Sequence, residues 1–145
     1  MFELRTVPVY NCITMTTKLQ IKTDRRNQMV DITDQVANVV RGSGASEGTC
    51  TVYSPHTTAA VTINEGHDPD VVTDILNYLE KLVPPHAGYR HMEGNSDSHI
   101  KVALIGPGQT IPIENGRLAL GTWQRIFFCE FDGPRNRTCL VTVNK

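Results

Sequence analysis

The chain has 145 residues, 39% of them hydrophobic and 20% charged, which fits a single domain spanning 1–145 and excludes a disordered or fibrous polypeptide. Fourteen Lys and Arg against fifteen Asp and Glu leave a formal charge of -1, too even a balance for a general nucleic-acid binder. No apolar run approaches the ~20 residues that a bilayer requires, and Glu3, Arg5, Asn11 and Thr16 break up the start of the chain, so neither a signal peptide nor a membrane partner is expected.

In chain order, Lys18-Leu19-Gln20-Ile21-Lys22 alternates with period two and predicts a half-buried strand. A short helix follows, with Thr33 as its N-cap, Val36, Val39 and Val40 on one face and Gly42 at the left-handed terminating position. Thr49–Tyr53 and Ala59–Ile63 are β-rich and bracket the polar Ser54-Pro55-His56-Thr57-Thr58, which puts His56 at a strand end or turn. The clearest helix starts at Asp68: its carboxylate can cap, Pro69 suits the first helical position, and Val72, Ile75, Leu76 and Leu79 form a stripe that Pro84-Pro85 closes. From His86 to His99 the chain is polar and carries three histidines. Ile100–Ile105 reads as a helix capped by Asn95 or Ser96 and closed by Gly106-Pro107, although its β-branched residues would also allow a strand. Asn115-Gly116 predicts a hairpin between Thr110–Glu114 and Arg117–Leu120, because both residues tolerate positive φ. Two further strands, about 124–131 and 138–143, flank the turn Asp132-Gly133-Pro134-Arg135. Strands dominate and two or three helices interrupt them, which predicts an α+β fold with a largely antiparallel sheet sandwich.

Cys12, Cys50, Cys129 and Cys139 form no C-x-x-C pair, which points to a reducing cytoplasmic compartment with buried thiols. The sequon Asn136-Arg137-Thr138 reads as chance in that setting.

His91 and His99, with Asp97 between them, offer metal-ligand types on one polar loop, and His56 could complete a set with an open position. The same histidines could equally be turn residues that hydrogen-bond a loop. Glu65, just past a strand, is a candidate general base, a residue supporting a metal ligand, or a solvated side chain. Arg135 and Arg137 beside a Gly-Pro turn suit bidentate phosphate binding, and a helix opening near Asn95 would present N–H groups to the same anion. No Walker A loop or G-x-G-x-x-G occurs, so the common nucleotide cradles are missing. Trp123, the sole tryptophan, suits packing or an interface.

Read together, Ser54–Ala60, Ile63-Asn64-Glu65, Asp68-Pro69, Tyr89-Arg90-His91, Asn95–His99, Leu118–Gln124 and Glu130–Arg135 resemble the YjbQ family, associated with secondary thiamine-phosphate synthase activity. The resemblance implies an α+β sandwich assembling as a homotrimer, with a divalent metal on His56, His91 and His99; imidazole ligands favour zinc, and diphosphate chemistry allows magnesium. It implies Glu65 and Asp97 as catalytic residues and Asn95 and Arg135 as contacts to a phosphorylated small molecule. The implied reaction couples a hydroxymethylpyrimidine diphosphate to a thiazole phosphate. Two other readings are a metal-dependent hydrolase, in which Glu65 deprotonates a metal-bound water, and a trimeric module that binds a metal or phosphometabolite without turnover.

Overall fold

A computed structural model describes residues 12–145; the readings made on Glu3, Arg5 and Asn11 lie outside them. The order is β1 (Thr14–Lys22), β2 (Gln28–Asp31), α1 (Thr33–Ser43), β3 (Gly48–Tyr53), β4 (Ala59–Glu65), α2 (Pro69–Leu82), α3 (Ser96–Ile105), β5 (Gly108–Glu114), β6 (Arg117–Leu118), β7 (Gln124–Glu130) and β8 (Asn136–Asn144). Two antiparallel sheets form, one in the order β1-β8-β3-β5-β6 and one in the order β2-β7-β4. The fold is α+β, as predicted.

Period-two burial explains the layering. In β8 the residues Cys139, Val141 and Val143 turn inward with Ile21 of β1, Cys50 and Val52 of β3, and Ile111 and Ile113 of β5. They meet Ala59, Val61, Ile126 and Phe128 of the three-stranded sheet, and Val36 and Val40 of α1 close the same core. The opposite face of that smaller sheet carries Ala60, Phe127 and Cys129, which pack with Phe131 and Val102 of α3 and with Val72, Leu76 and Leu79 of α2. Strand β7 is therefore covered on both faces, which is why Ile126-Phe127-Phe128-Cys129 is continuously apolar rather than alternating.

Several boundaries have local causes. Asp68 accepts the Asp70 N–H at 2.9 Å and Pro69 opens α2, as the sequence predicts. Asn115 (φ 51°) and Gly116 (φ 76°) form the predicted tight turn of the β5–β6 hairpin. Thr33 is the first residue of α1 rather than its cap, because its N–H and hydroxyl both donate to Asp31 Oδ1, at 3.0 and 2.7 Å. That helix ends at Gly44 (φ 68°), not at Gly42, which lies within it. Strand β1 begins four residues before the predicted Lys18, since Thr14 to Lys22 pair with β8 along their whole length. The short β2 escaped prediction; pairing with β7 defines it.

Burial raises the Cys50 thiol to about 11 and those of Cys129 and Cys139 to about 12, which keeps all three protonated packing groups. No helix among the described residues is long and apolar enough to cross a membrane.

Candidate functional site

Three loops that leave the sheets at one end meet there: Ser54–Thr58 between β3 and β4, the polar segment entering α3, and the turn Asp132–Arg135 between β7 and β8. They enclose a cleft of about 370 Å³ whose walls include His56, Thr58, Asn95, His99, Asp132 and Arg135. A second hollow of about 390 Å³ continues past His56 and His99 over Tyr53, Val102 and Pro107. The two histidines thus stand where a polar half meets a more apolar one.

The turn is fixed from below. Glu130 is fully buried, and Arg137 donates to it through Nε at 2.8 Å while also reaching Thr58 Oγ1 at 2.8 Å. The Asp132 N–H adds a bond to Glu130 Oε1 at 2.9 Å. Burial pushes the Glu130 carboxyl up, but the Arg137 guanidinium and the Asp132 amide outweigh that and hold it below the ordinary range. Gly133 is required sterically: a Cβ there would lie 2.4 Å from the Arg25 carbonyl oxygen. Beyond the turn, the Arg135 backbone is clamped by Thr23, its N–H donating to Thr23 Oγ1 at 2.9 Å. The Arg135 side chain pairs with Asp132 at 3.1 Å and remains half exposed to the cleft. Asp132 also accepts Asn95 Nδ2 at 2.8 Å, which ties the start of α3 to the turn and explains why Asn95 makes no side-chain cap to that helix.

His56 is held in one tautomer. The Thr138 backbone N–H donates to His56 Nε2 at 3.0 Å, so a neutral ring carries its proton on Nδ1. Burial, followed by the nearby Arg137 charge, lowers its pKa and favours that neutral form.

The remaining predicted residues separate according to helix and strand geometry. Asn95 and His99 are four apart and share one side of the opening of α3, whereas Asp97 and His99 differ by about 200° around the axis. Asp97 therefore faces inward, fully buried, where Arg26 grips it with two bonds at 2.8 and 2.9 Å and Lys101 reaches it at 3.2 Å. Burial alone would raise its pKa, yet those cations bring it down to about 2. Its carboxylate is structural and does not reach the cleft. Glu65 closes β4 at the end away from Thr58, and six strand steps place it about 20 Å from the cleft. His91 lies beside the cleft, its ring packed edge-on against His99 with centroids 5.3 Å apart.

The match to known proteins covers nearly the whole of this framework. The model of the family described as UPF0047 protein YjbQ-like fits residues 17–145. This chain belongs to the UPF0047 family of YjbQ-like proteins. It is 50% identical to the UPF0047 protein of Methanocaldococcus jannaschii over 131 residues, 90% of this chain and 95% of that one. It is 50% identical to UPF0047 protein YugU of Bacillus subtilis over 126 residues, 86% of this chain and 96% of that one. Among solved structures, a YjbQ/UPF0047 protein of Clostridium acetobutylicum superposes with a TM-score of 0.87 at 51% identity, covering 88% of this chain and 98% of that one. A YbjQ-like protein of Sulfolobus solfataricus gives a TM-score of 0.89 at 33% identity, covering 92% of this chain and 99% of that one.

In this UPF0047 chain the donor set can be tested against the metal that the resemblance implies. Two imidazoles on one tetrahedral ion have centroids about 5 Å apart, and the His91–His99 spacing of 5.3 Å fits two such positions. The His56 Nε2 lone pair is engaged by the Thr138 amide, so His56 as placed has no free lone pair for an ion. Among the described residues no three His, Cys, Asp or Glu side chains converge closely enough to hold a metal. One chain thus offers two histidine ligands and not three.

Sequence reasoning missed Glu130, Asp132 and Thr58 as parts of the site, and it gave Arg137 the same phosphate role as Arg135. The available signal was a carboxylate in an otherwise apolar run, Phe127-Phe128-Cys129-Glu130-Phe131, which requires a buried cationic partner.

Proposed function

We propose that this protein is a group transferase of thiamine-phosphate-synthase type, with the diphosphate of the pyrimidine substrate held in the His56–His99–Arg135 cleft. One observation carries the reading: a tautomer-fixed imidazole and, on a clamped turn, a half-exposed guanidinium paired with Asp132 line the same polar cleft, where an oxyanion would find donors. Asn95 would assist from the positive end of α3. The hollow over Tyr53, Val102 and Pro107 suits the flat heterocycle that carries the diphosphate.

The choice between transfer and hydrolysis turns on proton bookkeeping. In the coupling the thiazole nitrogen attacks the pyrimidine methylene, a C–N bond forms, the C–O bond breaks, and pyrophosphate leaves with the electron pair. No proton is removed at that step, so donors suffice. Hydrolysis needs a base for water: Asp132 is engaged by Asn95 and Arg135 and Glu65 is about 20 Å away, which leaves Glu93 on the cleft wall as the carboxylate that a hydrolase reading would require. Each chain in a homotrimer could receive Glu65, or a third ligand for a zinc ion on His91 and His99, only from a neighbouring copy.

Incubating the protein with hydroxymethylpyrimidine diphosphate and thiazole phosphate should release pyrophosphate and thiamine phosphate only when both are present. Turnover of a simple phosphate ester without the coupled product would favour the hydrolase reading, and saturable binding with no product would leave a binding module.

A further inference from the structure

We propose a second ligand site at the far end of the molecule, a groove that takes an oxyanion carried on an apolar body. It is a recess of about 680 Å³ between α1 and the β5–β6 hairpin. Its floor is apolar, made by Ala37, Leu118 and Leu120, all half-buried. Its rim carries three guanidiniums, Arg41, Arg117 and Arg125, against one lining carboxylate, Asp34.

The three arginines are not equivalent. Arg125 is anchored by Asp31 at 2.7 Å and Asp34 at 3.2 Å, which orients its guanidinium and leaves further N–H groups available. Arg41 rests on the neutral Asn38 side chain, and neither it nor Arg117 has a carboxylate partner among the described residues. In a chain of net charge -1, two uncompensated guanidiniums facing one concavity concentrate positive potential there. The hairpin that presents Arg117 is held in place: the Gly116 N–H donates to the Ser46 carbonyl at 2.8 Å, and the Asn115 N–H to Glu47 Oε1 at 3.1 Å. Paired forks above a hydrocarbon floor match a carboxylate or phosphate attached to a ring or short chain better than they match a bare ion. The site is independent of the His56 cleft, which lies at the other end of β4 and β7.

Amide chemical shifts can be followed while the full chain is titrated with phenyl phosphate, phenylacetate, inorganic phosphate and phenol. The expected result is that phenyl phosphate or phenylacetate shifts Ala37, Gly116 and Leu118 and binds roughly tenfold or more tightly than phosphate or phenol. Which of the two wins identifies the head group. The double variant Arg41→Gln/Arg117→Gln, altered only at exposed positions, should lose that binding by a similar factor, while Arg135→Gln should keep it. The proposal is overturned if phosphate binds as well as phenyl phosphate, if the shifts map to His56 and Asn95, or if the groove amides respond to protein concentration, which would assign this face to a contact between copies.

Discussion

Strand β7 carries an ion pair near each end, and the two are built differently. At the cleft end Glu130 is fully buried against Arg137, which is 4% exposed, and the pair is tied to Thr58 in the loop before β4, to Thr23 just after β1 and to the Asp132 amide of the following turn. At the groove end Arg125 also meets carboxylates, yet it is 36% exposed and Asp34 is 85% exposed. A desolvated pair whose partners come from separate strands fixes backbone geometry, whereas a hydrated pair orients one side chain at little energetic consequence. The cleft is therefore preorganised from below, while the groove keeps its arginines adjustable.

The sharpest test of that contrast is to leave a buried charge alone. Glu130→Ala should cost about 3 to 5 kcal/mol in urea unfolding because Arg137 stays buried without its counter-charge. The double variant Glu130→Leu/Arg137→Met should recover most of that loss, and a single-variant cost under about 1 kcal/mol would mean that the pair is hydrated after all.

Asp97 tests burial without a cleft. Its folded pKa of about 2 lies below the ordinary 3.8, so its stabilisation is complete above the ordinary value and disappears as the pH falls through the folded one. The wild-type chain should lose about 2 kcal/mol more than Asp97→Asn between roughly pH 4 and pH 2, as read from acid-dependent unfolding midpoints. Parallel curves for the two proteins would contradict the ion network.

Arg135 is held at its backbone but open at its tip, so under the proposed transferase reading Arg135→Gln should raise KM for the pyrimidine diphosphate roughly tenfold with little change in Tm. An equal loss of Tm would make Arg135 a structural residue like Arg137. The smallest effect is expected at the opposite end. Arg125→Gln should change stability by less than about 1 kcal/mol, and added salt should shrink the difference further.

The fold was readable wherever a local rule decided the outcome. Asp68-Pro69 and Asn115-Gly116 carry their own capping and turn chemistry, and the continuous apolar run of β7 announces a strand. Strand β2 and the true end of α1 depended on partners elsewhere: β7 recruits Gln28–Asp31, and Gly44 rather than Gly42 adopts the left-handed conformation. Among the site residues, His56, Asn95, His99 and Arg135 were legible because polar, turn-forming segments expose their side chains. Asp97 points away from the cleft because two positions along a helix span more than half a turn, and a strand carries Glu65 to the far end of its own sheet.

By itself the sequence determined most of the element types and the inventory of donors, since these follow from periodicity and side-chain chemistry within a few residues. Tertiary structure alone decided which donors share a cleft, which nitrogen of His56 is free, and which charges are sealed. Those depend on residues such as Thr138 and His56, or Arg137 and Thr58, that lie about eighty positions apart and meet only when the two sheets close.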